Sequence, residues 1–128
     1  MHDSNQSKGR HSLPTTVRNR VIWLIRDSER LQQEADDLLT VASGLSPQIR
    51  SKGGHGDPVF RAVKKREKNL KRLKAIQDAL QDIPEEYREG VFRSIRDSDP
   101  YPQDADRSTY SRHKQKLIYD IAVRLSYI

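Results

Sequence analysis

Apolar residues recur along this chain at helical spacing. Val17, Val21, Leu24, Ser28, Leu31, Ala35, Leu38 and Ala42 follow one another in steps of four and three. That is a seven-residue repeat, interrupted in character only at Ser28, and it lays one continuous seam along a helix. Ile22, Trp23 and Ile25 widen the apolar face near its start. Pro14 stands where a first-turn proline belongs, and Gly44 followed by Pro47 supplies a stop. The pattern predicts one helix of about 28 residues, a rod of about 40 Å at 1.5 Å rise per residue.

A second stripe follows. Asp57-Pro58 offers a capping acceptor and a first-position proline, and Val59, Val63, Leu70, Leu73, Ile76, Leu80 and Ile83 continue the apolar face. This second long helix is expected to fold back antiparallel on the first. Pro84 closes it and opens a third, Glu85 to Ile95, packing through Tyr87, Val91, Phe92 and Ile95. Asp99-Pro100-Tyr101-Pro102 cannot continue a helix, because proline lacks the amide donor and restricts the residue before it. The chain must turn there, and Asp106 or Ser108 then caps a last helix whose buried side is Tyr110, Leu117, Ile118, Ile121, Ala122 and Leu125. The expected fold is all-α. Residues 1–13, polar and without periodicity, read as a disordered N-terminal arm. Residues 14–83 form a long antiparallel helical hairpin, and residues 84–128 form a C-terminal helix-turn-helix-like unit.

Composition narrows the function. Cysteine is absent, so disulfides and thiolate metal sites are excluded. The longest apolar run, Val21 to Ile25, is far too short for a membrane span, and Met1 to Ser12 has no apolar signal region. A cytoplasmic protein is expected. The net charge is +6, which favours a polyanionic partner. Distribution matters more than the total. Between Val59 and Ala75 there are eight Lys or Arg against one Glu, a local net of +7, while Val17 to Leu39 has four Arg against five acids, a net of −1. A solvated helix face is the default explanation of such a run. A net of +7 over so few residues exceeds what solubility needs, so Arg61, Lys64, Lys65 and Lys68 are expected to meet phosphates.

The last helix carries the other candidate chemistry. Thr109, Arg112, His113 and Lys116, at steps of three, one and three, lie opposite its apolar side, with Ser108 one position ahead. Arg can pair bidentately with the guanine edge, and Ser, Thr and His can donate to or accept from bases. Arg107, Lys114 and the free amides of the helix start suit phosphates. These residues predict binding to double-stranded DNA, with Ser108, Thr109, Arg112, His113 and Lys116 reading bases. An exposed polar face on a terminal helix is the blander alternative. No cofactor or metal is expected and no enzyme: the four histidines are scattered, and no nucleophile–base pair or ligand spacing stands out. Gly53-Gly54-His55-Gly56 lacks the Gly-Lys-Ser/Thr ending of a phosphate loop and reads as a connector.

Three short motifs occur in a suggestive order: Gly53-Gly54-His55-Gly56-Asp57-Pro58, then Ile83-Pro84-Glu85-Glu86-Tyr87-Arg88-Glu89, then Ser108-Thr109-Tyr110-Ser111-Arg112-His113-Lys114. In this organisation, over residues 14–128, the chain resembles the small phage-encoded transcriptional regulators of the RinA and ArpU type from Gram-positive bacteria. Those are similar to the promoter-reading region four of sigma factors, with a helical hairpin in front. The resemblance implies activation of late phage genes by DNA binding near promoters, with RNA polymerase as a candidate partner. It implies that Ser108 to Lys116 is the recognition helix and Glu85 to Ile95 the helix before it. The connection departs from the pattern. Sigma-like units place a further helix where Asp97 to Asp106 has two prolines. The rival expectation is a DNA-packaging or assembly adaptor, such as a small terminase subunit, whose long helices build a ring. A regulator would act as a monomer or as a homodimer through those helices.

Overall fold

A computed structural model describes residues 12–42 and 58–128. Most of the expected arm, the glycine-containing connector with His55, and the Asp57 cap lie outside the described residues. Five helices make up the described chain: α1 Thr15–Arg26, α2 Ser28–Ala42, α3 Pro58–Gln81, α4 Glu85–Arg96 and α5 Arg107–Arg124. No strand occurs among the described residues, so the protein is all-α there. None of these helices is long and apolar enough to cross a membrane.

The single rod expected over residues 14–42 is two helices. α1 stops at Asp27, whose φ of −93° and ψ of 0° leave helical geometry, and α2 starts at Ser28. The helix breaks at Asp27, one residue before Ser28, the polar position that interrupts the repeat. The helices also group differently from the expected division at Ile83/Pro84. One compact unit holds residues up to Asp27 together with Ala75–Ile128, and the other is Ser28–Lys74. The boundary falls inside α3, because the last turns of that helix belong to the core of the first unit.

That core is built by α1, α4, α5 and the end of α3. Val21, Ile25, Ile76, Ala79, Ile83, Val91, Ile95, Tyr110, Leu117, Ile118, Ile121 and Ala122 form one buried cluster. Each buried Ile or Leu contributes roughly 1.5–3 kcal/mol relative to exposure. The apolar sides expected for α4 and α5 are the ones that pack. Leu13, placed in the arm by composition, packs partly buried against this cluster. Trp23, expected to widen the core face of α1, is 64% exposed instead, with the Arg26 guanidinium 5.3 Å from its ring.

Two arginines finish helices by taking their last carbonyls, the groups a helix leaves unpaired. Arg88 donates to the carbonyls of Leu80 (2.9 Å), Ile83 (2.8 Å) and Gln81 (3.1 Å) at the end of α3. Arg26 donates to the Ile95 carbonyl (3.0 Å) and the Ser98 hydroxyl (3.2 Å) at the end of α4. Ser98, with φ of 60°, takes the left-handed conformation that redirects the chain after α4. Ser126, also at 60°, does the same after α5: Tyr127 N–H bonds the Ala122 carbonyl and Ser126 N–H the Val123 carbonyl, a Schellman closure without glycine.

In the second unit α2 and the first part of α3 run antiparallel. The Asn69 side-chain amide donates to the Leu31 carbonyl (3.3 Å) and the Glu34 carboxylate (2.7 Å), and Arg66 donates to the Ala35 carbonyl (3.0 Å). Residue numbers rise along one helix as they fall along the other. The buried residues of α3 are Ala62, Asn69, Ala75, Ile76 and Ala79, followed by Ile83, and the expected Val59, Val63, Leu70 and Leu73 are not among them; Val63 is exposed. The Asn69 amide is buried between the two helices and is satisfied by the Leu31 carbonyl and the Glu34 carboxylate, as a buried polar group must be.

Candidate nucleic-acid interface

On α5 the first residues of the helix are placed by an aromatic cluster. Tyr110 is fully buried and its hydroxyl donates to the Asp104 carboxylate at 2.5 Å. Its ring stacks on Tyr101 (centroids 5.2 Å apart) and meets Tyr87 edge-on (5.3 Å). The bond to Asp104 and burial together push the Tyr110 hydroxyl pKa up to about 12. Gly90 on α4 makes this possible, because a Cβ there would lie 2.8 Å from both Pro102 Cδ and Tyr110 Cε1. The proline turn and α5 therefore close directly on the backbone of α4.

Asp106 occupies the cap position of α5 but makes no side-chain cap bond; its carbonyl accepts the amides of Thr109 (3.0 Å) and Tyr110 (3.3 Å) instead. Ser108 is not the cap. Arg107 and Ser108 are exposed. Thr109, Arg112, His113 and Lys116, together with Gln115, line one shallow groove of about 310 Å³ on the flank of α5 away from its buried stripe. Arg112 is exposed, and Thr109, His113 and Lys116 are half-buried. The four expected base-reading positions beyond Ser108 thus share one surface.

His113 is held more tightly than its expected role requires. Its ring stacks on Tyr87 with centroids 4.9 Å apart, which covers one of its faces. Burial, and then the nearby Arg112 and Lys116 cations, hold its pKa below the ordinary histidine value. Lys114 is placed apart from the groove. It lies four residues after Tyr110 and four before Ile118, inside the apolar stripe, and lines a different cleft of about 690 Å³ with Tyr101, Asp106 and Arg107. Burial and the proximity of Arg18 and Arg26 lower its pKa.

In the second unit a cleft of about 610 Å³ runs between α2 and α3, lined by Arg30, Arg61, Lys64, Lys65, Lys68 and Arg72. The expected phosphate residues Arg61, Lys64, Lys65 and Lys68 are thus brought together, and Arg30 and Arg72 join them. The one acidic lining residue is Glu34. Its carboxylate sits 3.2 Å from Lys65 Nζ and 3.8 Å from Arg30, and its pKa is lowered first by the Asn69 hydrogen bond and then by Lys65. Arg66, one of the eight cations in the run, is committed to the Ala35 carbonyl. Sequence reasoning misses Arg30 because it is the one cation of an acidic helix, in which Glu29, Glu34, Asp36 and Asp37 outnumber it; only the antiparallel pairing sets it opposite the cationic run. Comparison with protein-family models, curated proteins and solved structures gives no match.

Proposed function

We propose that this chain is a transcriptional regulator that binds double-stranded DNA through the exposed flank of α5. One observation carries the reading: Thr109, Arg112, His113 and Lys116 line a single outward groove on a helix whose other side is fixed in a core by Tyr110, Leu117, Ile118 and Ile121. A rigid helix presenting donors and cations is what the major groove admits. Arg112, the most outlying of the four, reads a guanine edge with its fork. Thr109 and Lys116 flank it, and His113 contributes a ring edge at a fixed angle. Arg107 and the first amides of α5 meet a phosphate. The order of short motifs shared with the RinA and ArpU type supports a phage activator of late genes, acting in the host cytoplasm near promoters, with RNA polymerase as a partner.

The test is selection of duplexes from a random pool, followed by Arg112→Ala on the selected site. The expected loss is roughly 1–3 kcal/mol with relaxed preference at one base position. Equal weakening on all sequences would make Arg112 a phosphate contact and remove the base-reading role.

A further inference from the structure

The cationic cleft between α2 and α3 belongs to the other unit from the α5 groove, and its composition is one-sided. Six cations, Arg30, Arg61, Lys64, Lys65, Lys68 and Arg72, line it from two antiparallel helices with one carboxylate, Glu34, among them. Like charges gathered this closely repel one another, and the repulsion is relieved only by anions or by solvent. Glu34 relieves part of it. Its carboxylate is held among them by Asn69, at 2.7 Å, and engages Lys65 and Arg30. Asn69 is itself buried and also donates to the Leu31 carbonyl, so the carboxylate is positioned by the fold rather than by chance rotation.

We propose that this cleft docks the phosphate backbone of duplex DNA without regard to sequence, and that Glu34 is an internal counter-anion which the incoming phosphate displaces from Lys65. The proposal rests on the DNA-binding reading of α5 and adds to it a second binding surface, on the other unit. Arg30 and Arg72 join Arg61, Lys64 and Lys68 in meeting the backbone. Lys65 is recruited only after its ion pair with Glu34 opens. The Glu34 carboxylate thereby weakens non-specific binding and leaves more of the affinity to sequence reading by α5.

The experiment measures binding of the full chain to a selected duplex and to a scrambled one over a salt series. Three variants are compared with the natural chain: Arg61→Gln/Lys64→Gln/Lys68→Gln, Arg30→Gln/Arg72→Gln, and Glu34→Gln. The last keeps an acceptor for Asn69 while removing the charge, and circular dichroism checks that each variant stays helical. The proposal expects the salt slope to fall by about 0.9 for each phosphate that the substituted cations no longer neutralise, equally on both duplexes. It expects Glu34→Gln to bind both duplexes more tightly, with a slope steeper by about 0.9 as Lys65 becomes available. Unchanged slopes in the two cation variants, with sequence preference intact, overturn the cleft and leave the α5 reading standing. Shallower slopes in a protein that shows no sequence preference uphold the cleft and overturn the α5 reading. A Glu34→Gln variant no tighter than the natural chain overturns the counter-anion role. Failure of the natural chain to bind either duplex overturns both.

Discussion

Gly90 is the position at which one added methyl group has the most to say about how α5 is held. In a helix interior, Gly→Ala ordinarily stabilises by about 1 kcal/mol, since alanine restricts the unfolded chain and favours the helix. Here the new Cβ would stand 2.8 Å from Pro102 Cδ, 2.8 Å from Tyr110 Cε1 and 3.0 Å from Pro102 Cγ. Neither neighbour is the loose end of a flexible chain. Pro102 is a ring closed on its own backbone. Tyr110 is fully buried, stacked on Tyr101 and bonded to Asp104. Overpacking a well-filled site costs roughly 1–3 kcal/mol, and two rigid neighbours this close belong in the upper part of that range. After subtracting the helix gain, Gly90→Ala should destabilise the first unit by about 1–2 kcal/mol.

Urea unfolding followed by the near-ultraviolet dichroism of the tyrosines reads this, because the tyrosines report on the packing under strain. Adding Pro102→Ala removes both proline atoms that crowd the new methyl and should recover part of the loss, as coupling between touching residues requires. The single Gly90→Ala substitution should also weaken binding to a selected duplex, since it moves the start of α5. A Gly90→Ala protein as stable as the natural one, or more so, would show that α4 and α5 do not approach as closely as the turn dictates.

Three further outcomes are expected. Tyr110 keeps its proton up to about 12, whereas in the unfolded chain it ionises near 10, so its contribution is intact below pH 10 and is lost as pH rises through 12; Tyr110→Phe should remove that part of the alkaline decline in urea stability. His113 has a lowered folded pKa, so its contribution is present above the ordinary histidine value of 6.5 and is lost as pH falls through the folded one; His113→Gln should flatten stability on the acid side, with Glu86 opposing the effect of Arg112 and Lys116. Arg88→Ala strips the donors from the carbonyls of Leu80, Gln81 and Ile83 and should cost about 1–3 kcal/mol by urea unfolding, with Arg88→Lys recovering only part because an ammonium cannot fork.

Helical period and proline placement make most of the element boundaries legible. Pro84 starts α4 one residue later, and the Asp99–Pro102 stretch separates α4 from α5 where the chain can form no helix. The break at Asp27 is not legible as a break. Ser28 preserves the seven-residue spacing, so periodicity alone carries straight through it, and only tertiary packing decides that Val21 and Ile25 serve one core while Leu31 and Ala35 serve another. The buried line of α3 escapes a pattern reading for a related reason. Hydrophobicity favours Val63 over Asn69, but a buried amide that satisfies a neighbouring helix's carbonyl outweighs a valine facing solvent.

For the candidate site, the helical wheel is sufficient where side chains point away from the core and insufficient where they lie at its border. Arg112 sits farthest from the Tyr110–Ile118 stripe, and its exposure follows from spacing alone. His113 stands at the edge of that stripe, so whether it is free depends on what the neighbouring helix offers, and α4 offers Tyr87. Lys114 is readable from spacing too. A residue four after one buried position and four before another shares their face, whatever its charge. Its ammonium therefore lies near the α1 arginines Arg18 and Arg26, whose charge repels it, rather than in the groove, and the two basic flanks of α5 present different surfaces.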